Sequence, residues 1–106
     1  MAMKIRNLFS DKSDRWEVKI IGEIDIHSAQ ELEEKLNEIL EKQFKSIIIN
    51  MEEVNYLDST GLGIFIKFVK RLRSQNQDMI FISPQPNILK LFKITGLKQI
   101  FNIREE

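Results

Sequence analysis

The chain has 106 residues, 42% hydrophobic and 30% charged, with 16 basic and 16 acidic side chains, one histidine and no cysteine. That length supports one domain over residues 1–106 with one core, and the missing cysteines exclude a disulfide framework and a thiolate metal site. Balanced charge gives no general attraction to nucleic acid or an anionic membrane, no apolar run approaches the ~18 residues of a membrane span, and Met1-Ala2-Met3-Lys4-Ile5-Arg6 lacks the apolar middle of a signal peptide, so a cytoplasmic domain is expected.

Met3 to Phe9 reads as a weak first strand and Trp16 to Ile21 as a second. Trp16, Val18 and Ile20 alternate with Glu17 and Lys19, which buries one face and wets the other. Ser10-Asp11-Lys12-Ser13-Asp14 between them has turn composition, so the two form an antiparallel hairpin. Ser28 to Lys42 is a helix, with Ser28 and Glu31 spaced as a capping box and Leu32, Leu36, Ile39 and Leu40 on one stripe. Five glutamates and two lysines make this helix acidic.

Ser46 to Asn50, with the run Ile47-Ile48-Ile49, reads as a central strand buried on both faces. Asn55 to Asp58 reads as a connection to a second helix, Thr60 to Arg73. Leu62, Phe65, Ile66, Val69 and Leu72 are its core stripe, and Lys67, Lys70, Arg71 and Arg73 make it basic. Met79-Ile80-Phe81-Ile82 is a fourth strand, stopped by Ser83-Pro84-Gln85-Pro86. A third helix follows, with Pro86 in its first turn, Ile88, Leu89 and Phe92 toward the core, and Gly96 at its left-handed end. Ile100 to Ile103 is a last short strand. The order ββαβαβαβ gives a mixed α/β sheet with parallel crossovers and its helices mainly on one side.

No catalytic set emerges. A lone His27 has no cysteine nucleophile to serve, and there is no Gly-x-Ser-x-Gly elbow, dinucleotide fingerprint or Walker lysine. A metal site from Asp25, His27 and Asp58 requires two loops to meet, and polar loop residues ordinarily cap helices or face water. His27 reads as a staple or capping neighbour of Ser28. The informative segment is Tyr56-Leu57-Asp58-Ser59-Thr60-Gly61-Leu62-Gly63, which follows a buried strand and opens a helix. In the plain reading one of Asp58, Ser59 and Thr60 caps that helix. In the sharper reading a phosphate on Ser59 is accommodated at the helix N-terminus, leaves the fold intact, and changes the surface charge by nearly two units. Gly61, Ile64 and Phe68 would form an exposed apolar strip beside the serine for a partner.

Three segments carry a family resemblance. Gly22-Glu23-Ile24-Asp25-Ile26-His27-Ser28-Ala29, Asn55-Tyr56-Leu57-Asp58-Ser59-Thr60-Gly61-Leu62-Gly63 and Leu91-Phe92-Lys93-Ile94-Thr95-Gly96-Leu97-Lys98-Gln99-Ile100 resemble, in order and spacing, the signatures of the anti-sigma factor antagonists. These are single STAS domains of bacterial partner-switching systems, and the likeness is strongest to the antagonists of general-stress anti-sigma factors. The resemblance implies a STAS fold and a protein that is not an enzyme. It implies that the unphosphorylated form binds an anti-sigma factor with serine kinase activity and thereby frees the sigma factor. Phosphorylation of Ser59 then ends binding, and a PP2C-type phosphatase reverses it. Asp25, Asp58, Ser59, Thr60, Gly61, Leu62, Gly63, Ile64 and Phe68 are the expected partner surface. Ile26 followed by His27, and Lys93 where the family often has an acid, depart from the pattern. Two alternatives stay open: a STAS scaffold or transport-system accessory with a fixed partner, and a small-ligand or nucleotide-binding STAS domain that uses the same helix end.

Overall fold

A computed structural model describes residues 3–105; Met1 and Ala2 of the N-terminal segment read above, and Glu106, lie outside the described residues. The elements are β1 (Lys4–Ser10), β2 (Arg15–Ile24), α1 (Ala29–Lys42), β3 (Ile47–Leu57), α2 (Ser59–Arg73), β4 (Met79–Ile82), α3 (Pro86–Ile94), a single 3-10 turn (Leu97–Gln99) and β5 (Asn102–Arg104). The expected order and mixed α/β class are observed.

The five strands lie side by side in chain order. β1 is antiparallel to β2, and each later neighbour is parallel to the one before. Parallel crossovers are as a rule right-handed, and here each steps one strand the same way, which places the three helices on one face of the sheet. Burial agrees. Trp16, Val18, Ile20 and Ile24 of β2, Ile47, Ile49 and Met51 of β3, and Met79 and Phe81 of β4 join one core with Leu32, Leu36, Phe65, Val69 and Phe92 of the helices. Phe81 packs on Phe65, Phe92 and Phe101 at centroid distances of 5.1, 5.8 and 4.7 Å.

No helix among the described residues covers the other face of the sheet, which corrects the reading of Ile47–Ile49 as buried on both sides. Ile48 lies in register with Glu17 and Ile80, and Asn50 with Lys19 and Ile82, on that open face. Ile48 and Ile82 are half-buried, and Ile80 is shielded but belongs to no part of the main core.

Boundaries also differ, and β2 runs past the expected Ile21 to Ile24. Asn55 to Asp58 is not a connection, because β3 continues to Leu57, pairing Tyr56 with Glu23 and Leu57 with Ile24. Register shifts between Lys19 and Ile21, and between Gly22 and Glu23, break the alternation that marks a strand; Gly22 has a φ of 107°. The last strand starts at Asn102, after the chain has turned through Ile100 and Phe101.

Candidate functional site

β2 and β3 run parallel, so their C-terminal ends emerge together, and the next segment of each is a helix start. Their junctions are bound to one another: the Asp58 N–H donates to the Ile24 carbonyl at 3.2 Å. The loop Asp25–Ser28 therefore lies beside the N-terminus of α2, at the strand ends where open α/β sheets place their sites.

Asp58 is the cap of α2. Its Oδ1 accepts from the N–H groups of Thr60 (2.9 Å) and Gly61 (3.2 Å), two of the donors a helix start leaves unpaired. Of the three candidates for the cap, the aspartate takes the role. Ser59 is the first helical residue, exposed, and its hydroxyl makes no hydrogen bond among the described residues. Thr60 beside it is exposed as well.

Asp25 organises the neighbouring loop. Its Oδ1 accepts from the N–H groups of His27 (2.8 Å) and Ser28 (3.1 Å) in an Asx turn. Partial desolvation pushes its pKa up, but those backbone hydrogen bonds, the His27 charge and the Ser28 hydroxyl outweigh it and hold the carboxyl below its ordinary value. The expected Ser28–Glu31 capping box does not form. Ser28 has helical backbone angles and its side chain makes no cap bond. Its hydroxyl instead donates to the Glu23 carbonyl (2.8 Å) and accepts from the Asp25 N–H (3.0 Å), closing the loop onto the strand end. His27 is exposed and contributes its N–H to this turn rather than a staple. No cluster of three histidines or acids placed to hold a metal occurs among the described residues; Asp25 and Asp58 are each occupied with backbone N–H groups.

The expected apolar strip is not on the surface. Ile64 is 7% exposed and Phe68 fully buried, while Gly61 and Leu62 are buried too. The cause is the position of α2, the middle helix of three, which meets the sheet below and α1 at its flank. Lys67 pairs with Glu33 of α1, and Arg71 donates to Asn37 of α1 at 2.7 Å and lies over the Phe68 ring. Two other apolar side chains are exposed on the segments that meet at this junction: Ile26, 69% exposed in the loop after β2, and Tyr56, 47% exposed at the end of β3. The break in the expected pattern at Ile26 was the sequence signal for the first. Tyr56 was hidden by the reading of its segment as a connection.

Gly61 and Gly63 differ in kind. A Cβ on Gly61 would stand 2.5 Å from Leu57 Cδ1 and 2.7 Å from Ile24 Cγ2, so the close seat of α2 on β2 and β3 requires glycine. A Cβ on Gly63 would meet nothing within 4 Å. Gly63 is exposed, one turn beyond Ser59 on the same side of the helix.

A sheet wound in one direction, with helices on one face and a free serine at a capped helix start, defines a small α/β module that presents a surface at these strand ends. The chain belongs to the STAS domain family, whose model matches residues 12–106. It is 36% identical over 105 residues to the anti-sigma-B factor antagonist of Staphylococcus aureus, covering 99% of this chain and 95% of the relative. Its fold is similar to an anti-sigma factor antagonist from Mycobacterium paratuberculosis (TM-score 0.82, 23% identity, 97% of this chain and 87% of that one). It is also similar to the Bacillus cell fate determinant SpoIIAA in its phosphorylated form (TM-score 0.70, 22% identity, 96% and 90%).

Proposed function

We propose that the protein is an anti-sigma factor antagonist whose binding is switched at Ser59. Unmodified, it binds an anti-sigma factor that is also a serine kinase and so releases the sigma factor. The kinase phosphorylates Ser59, the complex separates, and a PP2C-type phosphatase restores the binding form. The protein is the substrate in this cycle and not the enzyme. The identity to antagonists named for sigma-B supports the class of partner.

The observation that carries the switch is the division of labour between Asp58 and Ser59. Because Asp58 supplies the cap, the Ser59 hydroxyl has no structural duty and is free for a kinase. The carboxylate also occupies the N–H groups of Thr60 and Gly61, so a phosphate on Ser59 stands outward beside an existing negative charge. Placed under a partner surface fitted to a hydroxyl, it would be buried without counter-charges, at a cost of several kcal/mol. Each ~1.4 kcal/mol is about tenfold in affinity, so one modification suffices to end binding.

The proposed docking surface is Asp25, Asp58, Ser59, Thr60 and Gly63, with Ile26 and Tyr56 as its apolar anchors. Gly61, Leu62, Ile64 and Phe68 act from beneath, by seating the helix. The test is incubation with each kinase-type anti-sigma factor of the same genome and Mg-ATP, followed by phosphosite mapping. Phosphate on Ser59, absent from Ser59→Ala, is the expected result. No incorporation from any candidate, while a known antagonist is modified alongside, would favour a fixed-partner scaffold.

A further inference from the structure

Toward the far end of α2 from Ser59, an apolar groove of about 560 Å³ opens between the helix and the Leu97–Phe101 connection. Buried Val69, Leu97 and Phe101 line it, together with half-buried Ile66 and Ile100, which is 56% exposed. Its charged lining is entirely positive, from Lys70 and Arg73. Arg73 Nε donates to Asp78 at 2.9 Å, which leaves the rest of its guanidinium donors for another acceptor. The Lys70 ammonium has no carboxylate partner among the described residues. Lys70 and Arg73 are three residues apart on one helix face, within reach of a single head group.

We propose that this groove binds a free medium-chain fatty carboxylate, with its alkyl chain against Val69, Leu97, Ile100 and Phe101 and its carboxylate against Lys70 and Arg73. The volume falls within the ~300–1,000 Å³ of small-molecule sites. The apolar lining calls for an alkyl body, and the one unpaired cation calls for a single negative head. Lys70 is eleven residues beyond Ser59, about 17 Å along the helix axis, so the site is separate from the proposed switch.

The test is an NMR titration of the isotope-labelled chain with sodium decanoate below its micelle concentration. Octanoate serves as the shorter tail, and decyltrimethylammonium carries the same tail with the opposite head. Saturable shifts of the Ile66, Val69, Leu97, Ile100 and Phe101 amides are expected with decanoate. Octanoate should bind about fifteenfold more weakly, for two fewer buried methylenes, and the cationic detergent should not saturate the site. Lys70→Glu, at an exposed position, should weaken decanoate binding at least ~10-fold while the amide spectrum stays folded. Absent saturation, equal binding of the cation, shifts scattered over Leu8, Ile26 and Tyr56, or decanoate binding unchanged in Lys70→Glu would each overturn the proposal. So would concentration-dependent shifts of the groove amides without ligand, which would place a second copy there.

Discussion

Gly61 and Gly63 carry opposite constraints two residues apart. At Gly61 a methyl group would overlap Leu57 and Ile24 at 2.5 and 2.7 Å, so Gly61→Ala should destabilise the fold by about 1–3 kcal/mol in urea unfolding. At Gly63 nothing lies within 4 Å, and a glycine inside a helix costs about 0.5–1 kcal/mol relative to alanine. Gly63→Ala should therefore stabilise the free chain by up to about 1 kcal/mol in the same experiment, yet weaken binding to the anti-sigma factor. A variant that gains stability and keeps full affinity would remove Gly63 from the docking surface. Asp58→Ala should cost about 1 kcal/mol, the usual worth of an N-cap. These distinctions were only partly legible in the sequence. The motif pointed to Asp58, Ser59 and both glycines, but only the seat of α2 on Leu57 and Ile24 tells one glycine from the other. The placement of Ile64 and Phe68 failed for a related reason. Helical spacing gives the angle of a side chain around its own helix, not the presence of α1 on that side.

At the scale of elements, the loop Asp25–Ser28 is held by one carboxylate and one hydroxyl. The folded pKa of Asp25 lies below its unfolded value, so the folded chain binds fewer protons there. Its contribution is complete at neutral pH, declines below about pH 3.9, and is lost once the pH falls through the folded pKa. The His27 and Ser28 amide resonances should therefore titrate together at a pH below the ordinary aspartate range and lose that titration in Asp25→Asn. Titration at the ordinary value would mean that the Asx turn does not persist in solution. The helices were readable because each carries a strong 3.6-residue stripe. The end of β3 was not, because each register shift places an extra residue in β3, one between Asn50 and Glu53 and one at Asn55, and these destroy the alternation that a strand shows in sequence. The capping box met the right residue types, but the hydroxyl of Ser28 finds the Glu23 carbonyl closer at hand.

The molecule as a whole has one core shared by every helix and strands β2 to β4. It should unfold in one step, and buried Trp16, whose indole N–H donates to the Gln43 carbonyl at 3.0 Å, reports that step by fluorescence. The apolar run Ile47–Ile49 suggested a strand buried on both faces. A run of that kind records that side chains are shielded, and on the open face neighbouring strands do much of that shielding, without a second layer. The one-sided placement of the helices, by contrast, was legible because repeated short crossovers permit few other windings. In the proposed cycle, phosphate on Ser59 acts on the surface and not on the fold. The direct measurement compares the affinity of the phosphorylated and unmodified chains for the kinase-type anti-sigma factor, alongside the Trp16 unfolding midpoint of each. Affinity at least ~100-fold weaker is expected on phosphorylation, from about 3 kcal/mol of unpaired burial, with the midpoint nearly unchanged. Equal affinities, or a phosphorylated chain that loses binding only because it unfolds, would contradict it.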